Sequence, residues 1–421
     1  MSLEIDERSL LDDTETPVDP LDDESQLERT HNDRNFAAVR GPSNIDSNIV
    51  AIFVVAFDTR SGNILEWSLP AEFEYGDIEF KAMASGLHTI FSDFNYFKIG
   101  QLFGLSCYQR LQLEGEEAER ERGARMKSVG VLAMCYSGLH DHMEFLQQAV
   151  ERLNKTPGNY GALEEYYQSH MVSVPVSEEP AISLRNVVLP RLTITHSAGS
   201  FAQVWHFFGE NIFVLWKAAL LRQRILFVSP PPTGVTCYRV YCACLMASHS
   251  VGVVAERDVN PLFYINLADI QQLEKESSYV ACTTEKIFAM KTHLYDIYVD
   301  NQNITVLGQI RNGIHCTGKD CLRYQEVENQ LNDHALSVSE EGILSKDKML
   351  IENFQRMNNK ILSKLADVSR SDCHDLSKVD INELGLDPIN DHAFLQQLID
   401  LYSFDVNLEP IGLTACCPLF C

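Results

Sequence analysis

Apolar residues in the first part of the chain predict several strands and then a helix. Residues 48–57, NIVAIFVVAF, form a continuous apolar and β-branched run, which is typical of a buried strand. Turn residues follow, and Ile64 to Trp67 return as the second strand of a β-hairpin. Residues 139–153 instead repeat apolar side chains at spacings of three and four, as one face of a helix does. Shorter apolar runs predict further strands at 96–97, 102–109 and 129–134.

The second half of the chain alternates helical and strand patterns. Residues 201–219 carry a wide apolar stripe at helical spacing, and residues 224–229, RILFVS, predict a buried strand that three prolines terminate. Strand and helix patterns continue to alternate after it, which indicates an α/β layer. Near the end, apolar spacing predicts a helix at 349–368 and another at 391–402, with Asn390 as its N-cap.

These patterns divide the chain into folded units and connecting segments. The mixed charge run at 114–127 is expected to be a solvated loop between strands of the first unit. The predicted segments are a disordered acidic tail (1–46), a small sheet with packed helices (47–170), a linker (171–199), a central α/β lobe (200–303), a linker or insertion (304–345), a helical part (346–408) and a Cys-rich tail (409–421).

The net charge and the distribution of apolar runs restrict the classes of partner and the cellular compartment that are expected. The net charge is −25, from 59 acidic and 34 basic residues, so binding to the phosphates of nucleic acid is not expected. Residues 1–35 hold twelve of the acidic residues against three arginines, a composition that favours solubility, with partner binding as the alternative. The sequence opens without an apolar signal-peptide core and has no long apolar run, which predicts a cytoplasmic protein without a transmembrane helix.

The nearest approach to a catalytic motif is GIHCTGKD at Gly313 to Asp320. Its Gly-x4-Gly-Lys spacing matches most of a phosphate-binding loop. Asp320, however, stands where such a loop needs a hydroxyl group to hold magnesium, and no clear helical pattern follows Lys319. A chance match is therefore favoured over a site for hydrolysis of a nucleoside triphosphate.

The sequence gives equally weak signals for a metal-binding site. His140-Asp141-His142 places two imidazoles at i and i+2, where they point apart on a helix, so surface histidines are expected. Cys316 and Cys321 fall in a predicted loop, and the chain has no Cys-x2-Cys pair. The sequence therefore predicts no metal, no cofactor and no active-site chemistry of its own.

Three cysteines close the chain, at Cys416, Cys417 and Cys421. Pro418 occupies the fourth position from the end, so this is not a prenylation box. S-acylation of these thiols is one hypothesis and would give peripheral membrane contact, whereas an unmodified end is the alternative. We expect hydroxylamine-sensitive acyl labelling to disappear when all three are replaced by serine; labelling that persists would contradict the hypothesis.

Several runs of the chain resemble the LCHN subfamily of DENN-domain proteins. The resemblance extends roughly from Asn48 to Asn407, apart from 175–189 and 304–344. It rests on FVVAFDTRSGNILEW (53–67), GARMKSVGVL (123–132), LWKAALLRQRILFVSPPP (215–232), FYINLADI (263–270), SYVACTTEKIF (278–288), YDIYVDNQN (295–303) and GLDPINDHAFLQQLIDLYSFDV (385–406).

The resemblance implies a fold and a function. The fold is a tripartite α/β DENN module: 47–170 would be a longin-like upstream lobe, 200–303 the central lobe and 346–408 the downstream helical part. DENN proteins are widely guanine nucleotide exchange factors for Rab GTPases, so the resemblance implies a regulator that promotes GDP release by binding the switch regions of a Rab. A scaffold that binds GTPases or trafficking partners without accelerating exchange is the alternative.

The resemblance also implies a contact surface shared between the first two lobes. No motif marks its residues. Lys217, Arg222 and Arg224 are expected to face solvent and are proposed as GTPase contacts, with a solvated helix end as the alternative interpretation. The large aromatic residues of the same helix are expected in the core.

Overall fold

The structure is a computed structural model that describes residues 48–171, 200–251, 259, 261–333 and 340–411. The predicted acidic tail, nearly all of the 171–199 linker and the cysteines Cys416, Cys417 and Cys421 lie outside the described residues, so those assignments stay predictions.

The upstream lobe is built on five antiparallel strands of one sheet. The predicted hairpin is confirmed: the Asp58 carboxylate accepts hydrogen bonds from the backbone N–H of Arg60 at 2.9 Å and of Ser61 at 2.7 Å, and Gly62 adopts a left-handed φ of 81°. The five strands are β1 (Ile49–Asp58), β2 (Gly62–Leu69), β3 (Ser92–Ile99), β4 (Leu102–Gln112) and β5 (Ala124–Ala133).

Four helices belong to this lobe: α1 (Ile78–Ala82), α2 (Gly115–Arg120), α3 (Met143–Lys155) and α4 (Gly161–His170). The helix predicted at 139–153 is confirmed as a 3-10 turn followed by α3. The loop expected at 114–127 is wrong, because this run forms α2 and the start of β5. Two of its basic side chains are buried where carboxylates neutralise them: Arg125 lies 2.6 Å from Glu121, and Lys127 contacts Glu66.

The central lobe begins with two helices rather than one. The apolar stripe predicted at 201–219 forms α5 (Phe201–Phe208) and α6 (Ile212–Leu220). Gly209 interrupts it with a left-handed φ of 56°, and the 3-10 turn Gly209–Asn211 joins the two helices. The other elements are β6 (Arg224–Val228), α7 (Thr233–Met246), β7 (Pro261–Tyr264), α8 (Ile270–Leu273), β8 (Tyr279–Thr283), β9 (Ile297–Asp300) and β10 (Asn303–Val306).

One continuous sheet runs through both lobes. In the central lobe β9, β6, β8 and β7 are parallel, and β10 closes the edge antiparallel to β9. The two halves meet where β3 and β7 pair in parallel, at Phe97 and Tyr264. The result is a ten-stranded sheet in the order β10-β9-β6-β8-β7-β3-β4-β5-β1-β2, as expected of an α/β fold.

The downstream part is helical, and it includes residues that the sequence patterns assign to a linker. In the segment predicted as a linker or insertion, residues 304–306 complete β10 and residues 318–333 form α9, so an unstructured linker is wrong for these residues. Asn390 is not the cap of the last helix; Asp391 stands at that position. The elements are α9 (Gly318–Asp333), α10 (Glu340–Arg370), β11 (Asp375–Leu376), α11 (Lys378–Glu383), α12 (His392–Tyr402) and β12 (Asn407–Leu408).

Side-chain hydrogen bonds anchor the helical part to the central lobe. The Trp216 indole donates to the Asn358 carbonyl oxygen at 2.7 Å, and the Asn358 amide donates to Met246 O and Ser248 O at 2.8 Å each. Asn358 is fully buried, so α10, α6 and the end of α7 are fixed to one another by a satisfied polar residue. Among the helices of the described ranges, none is both long enough and apolar enough to cross a membrane.

Candidate binding groove between the two lobes

Asp93 of β3 joins the upstream lobe to the central lobe by capping α7. Its carboxylate accepts hydrogen bonds from Thr233 N and Thr233 Oγ1, both at 2.5 Å, and from Gly234 N at 3.1 Å. The residue at the cap position of α7 is Pro232, which offers no side-chain acceptor, so Asp93 supplies it from another lobe. Burial raises the pKa of Asp93, while these donors favour its ionised form.

A second junction lies at the end of α1. Lys81 is 4% exposed, and its ammonium group donates to Asp269 Oδ2 at 2.5 Å and to Tyr264 O at 3.3 Å. Burial lowers the pKa of Lys81, and the Asp269 carboxylate partly offsets that effect. The Tyr264 hydroxyl in turn accepts a hydrogen bond from Ser85 N at 3.2 Å. The segment after α1 is therefore held against β7 by both charged and neutral contacts.

A groove of about 610 Å³ lies beside this junction. Residues from both lobes line it, with most from the upstream lobe and Tyr264 and Glu285 from the central lobe. Two phenylalanines on its wall remain exposed, Phe57 at 36% and Phe80 at 49%. Leu267, 48% exposed, lies in the 3-10 turn Leu267–Asp269, whose Asp269 carboxylate pairs with Lys81 beside the groove. The groove thus exposes apolar side chains beside the ion pair and the hydrogen bond that join the two lobes.

Polar groups also reach the groove. Burial raises the pKa of Glu285, and its Oε2 atom is buried without a hydrogen-bond partner among the described residues. Arg110 and Arg122 also line the groove. The lining of the groove therefore brings together apolar side chains, carboxylates and arginines, a mixture that is typical of protein interfaces.

Lys217 is not a solvent-facing residue, and that expectation is wrong. Its side chain is 0% exposed, and its ammonium group lies 2.7 Å from Asp320 Oδ2, 2.6 Å from Asp391 Oδ1 and 2.9 Å from His315 O. The reason is that α9 and α12 both pack over this face of α6 with a carboxylate directed at the lysine. Lys217 is therefore part of the core.

The two predicted arginine contacts are partly exposed but do not form a surface with Lys217. Arg224 makes a two-pronged ion pair with Asp296, at 2.8 Å and 3.0 Å. The guanidinium group of Arg222 lies 5.3 Å from the centre of the Tyr402 ring. Neither arginine lines the groove between the lobes. Their role as GTPase contacts stays a prediction.

The phosphate-loop resemblance at 313–320 has a structural explanation. Asp320 Oδ2 accepts from Thr317 N and Thr317 Oγ1, both at 3.0 Å, and so begins α9. The same carboxylate neutralises Lys217, and its side chain is fully buried. The segment is thus the start of a helix, and the expectation of no helix after Lys319 is wrong.

The surface position that the sequence predicts for His142 is also wrong. His142 is 1% exposed, and its ring lies 2.7 Å from the Tyr166 hydroxyl.

Comparison with known proteins identifies the family. The family model for DENN domain-containing protein 11 matches residues 52–309, which is more than half of the chain. The chain belongs to the DENN domain-containing protein 11 family. Its ten-stranded sheet and surrounding helices are accordingly the α/β core of a DENN module, and the fold expected from the sequence is confirmed. The finer LCHN label stays a prediction.

Vertebrate relatives carry the same family name. DENN domain-containing protein 11 of Xenopus laevis is 41% identical over 99% of this chain and 100% of its own length. The Danio rerio protein is 43% identical over 88% of this chain and 78% of its own, and the Rattus norvegicus protein is 42% identical over 89% and 84%. Similarity to the DENN domain-containing protein 11 family therefore continues past the central lobe into the helical part.

Sequence patterns gave no indication of the groove itself. Phe80 stands in a short charged stretch, and nothing in the local pattern distinguishes an exposed phenylalanine there from a buried one. Leu267 lies within the run FYINLADI, which carries the family resemblance, but no pattern in this run marks Leu267 as exposed. The one available signal was the implied surface shared between the first two lobes.

Proposed function

We propose that this protein is an exchange factor that promotes GDP release from a Rab-family GTPase by binding its switch regions in the groove between the lobes. Membership of a DENN family supports the class of partner, because DENN domains are generally active toward Rab GTPases. The observation that carries the choice of surface is the groove, where Phe57 and Phe80 expose apolar area at the lobe junction. Exposed apolar patches of this kind are typical of protein interfaces.

Exchange of this type needs no catalytic residue. A factor that binds the nucleotide-free GTPase more tightly than the nucleotide-bound form shifts the equilibrium toward release. Contacts with the switch regions would displace the segments that hold magnesium and phosphate in the GTPase. The chain contributes a preformed surface, because the Asp93 cap and the Lys81–Asp269 ion pair hold the two walls of the groove in place.

The groove offers complementary roles for its apolar and polar residues. Phe80 and Phe57 are suited to act as anchors that enter pockets on the GTPase, since aromatic side chains dominate interface energies. Glu285 and the two groove arginines would fix the orientation of the partner through hydrogen bonds and charge. The three exchange contacts proposed from sequence, Lys217, Arg222 and Arg224, are not required by this interface.

Replacement of Phe80 by serine tests the groove. We expect the Phe80→Ser protein to accelerate release of fluorescent GDP about 10- to 30-fold less than the unaltered protein, because an interface anchor contributes on the order of 2 kcal/mol. The measurement is a stopped-flow assay across a panel of Rab GTPases, on the full chain. Thermal unfolding should be unchanged, because Phe80 is about half exposed.

Phe91→Ser is the matched control. Phe91 is 66% exposed in the same lobe but does not line the groove, so its replacement should alter GDP release less than about twofold. Equal losses in both variants, or full activity of Phe80→Ser, would contradict the proposed surface. Binding of a Rab without faster GDP release would instead favour the non-catalytic scaffold over the exchange factor.

A further inference from the structure

Three side chains that could hold a metal ion meet at the start of α9. Glu210 lies in the 3-10 turn between α5 and α6, Cys316 precedes α9, and Cys321 lies in its first turns. One ligand atom from each residue lies within 4.8 Å of the other two. The thiol sulphurs are 3.8 Å apart, and Cys321 Sγ is 3.1 Å from Glu210 Oε2. The three groups come from two separate parts of the chain.

The separation of the two sulphurs matches that of thiolates bound to one tetrahedral ion. Zinc–sulphur bonds of about 2.3 Å at the tetrahedral angle place two sulphurs about 3.8 Å apart. The observed distance is 3.8 Å. A disulfide would require about 2.05 Å, so the two thiols stand at a spacing suited to a bridging ion rather than to a covalent bond.

We propose that Glu210, Cys316 and Cys321 form a binding site for a zinc-class divalent ion, held by two thiolates and one carboxylate, with a fourth position open to water. Thiolate and carboxylate are both established zinc ligands, and three protein ligands with one open position form a recognised zinc arrangement. Sulphur ligands favour zinc over magnesium or calcium, which prefer oxygen.

The surroundings of the site allow a metal ion to enter. Glu210 is exposed and both cysteines are partly exposed, so ligand exchange with solvent needs no opening of the core. The neighbouring hydrogen bonds position the thiols: Cys316 Sγ lies 3.4 Å from Glu210 O. A bound ion would replace the hydrogen bond between the Cys321 thiol and the Glu210 carboxylate and would release the thiol protons.

An ion at this site would fasten the turn between α5 and α6 to the start of α9. The start of α9 also holds the buried Lys217–Asp320 ion pair, because Thr317 and Asp320 lie between the two cysteines. Binding to the folded chain alone would raise its thermal stability in a concentration-dependent manner. The consequence is a stabilising site between the central lobe and the helical part, independent of the groove and of GDP release.

The test uses the reduced full chain, purified without a histidine tag or chelator and titrated with zinc or cobalt. We expect about one zinc equivalent per chain after dialysis, and sulphur-to-metal charge-transfer absorption with cobalt. Glu210→Gln and Cys321→Ser should each weaken binding by at least about 10- to 100-fold, since even the loss of outer-shell partners costs that much. Cys373→Ser, which removes an exposed cysteine outside the cluster, should leave binding unchanged.

Several outcomes would overturn the site. The first is that the reduced protein does not bind zinc. The second is that the cobalt spectrum lacks sulphur-to-metal charge-transfer absorption. The third is that the Cys321→Ser protein binds zinc as tightly as the unaltered chain. Because Glu210 is exposed, Glu210→Gln should fold normally and keeps the test decisive if a cysteine variant misfolds. Unchanged zinc affinity of a folded Glu210→Gln protein would contradict the proposed three-ligand site.

Discussion

Replacement of Lys217 by methionine should lower the free energy of unfolding by about 3–5 kcal/mol, which is the typical cost of removing one partner of a buried ion pair. The variant would leave Asp320 and Asp391 facing each other in a site where both side chains are 0% exposed. Arg323, whose Nη1 lies 3.3 Å from Asp320 Oδ1, would be the one remaining cation of the described network. Urea unfolding followed by circular dichroism measures the loss.

Two further variants make this prediction specific. Lys348→Met, at a lysine that is 57% exposed and paired with Glu352, should change stability by less than about 1 kcal/mol. Adding Asp320→Asn and Asp391→Asn to Lys217→Met should recover part of the loss, because the uncompensated charges are removed. A Lys217→Met protein as stable as the control would contradict the buried network.

The misplacement of Lys217 shows where sequence patterns fail. In LWKAALL one charged residue interrupts an apolar helix, and local spacing is equally consistent with a solvated position. Its burial depends on Asp320 and Asp391, which lie 103 and 174 residues further along the chain. No periodicity connects such distant partners, so only the folded structure identifies them.

The strands were easier to predict than α9. A buried strand such as β1 is recognisable in the sequence as a continuous apolar run, because both faces of the sheet are covered there. α9 instead buries few apolar side chains, among them Val327 and Leu331, and Tyr324 stacks on Trp205 at 4.6 Å. A helix with so narrow an apolar stripe resembles a solvated linker in sequence, which explains the wrong assignment of residues 304–333.

The groove between the lobes depends on the same kind of distant contact. Phe80 and Glu285 belong to different lobes, and they line one groove only because β3 pairs with β7 and continues the sheet across the lobes. The family resemblance implied a shared surface but not its residues. Local sequence therefore specified the elements, while the position of the proposed site came from how the two lobes join.

Asp93→Ala should destabilise the join between the lobes, with a loss of about 3 kcal/mol in the free energy of unfolding, because hydrogen bonds to a charged group are strong and their donors would be left buried without an acceptor. Thr233 N, Thr233 Oγ1 and Gly234 N all donate to this carboxylate, which is 7% exposed. Asp372→Ala, at an exposed position, is the matched control and should stay within about 0.5 kcal/mol of the unaltered protein.

A double-mutant cycle distinguishes this cap from a general effect of losing Asp93. Thr233→Val removes one of the donors and should cost about 1 kcal/mol alone. In the Asp93→Ala background the same change should cost less, because the Thr233 hydroxyl has already lost the acceptor that it uses in the native structure. Losses that simply add would contradict the contact. Losses that are less than additive would show that Asp93 and Thr233 stabilise the protein through their contact at the junction of β3 and α7. This junction holds together the two lobes that line the proposed GTPase groove.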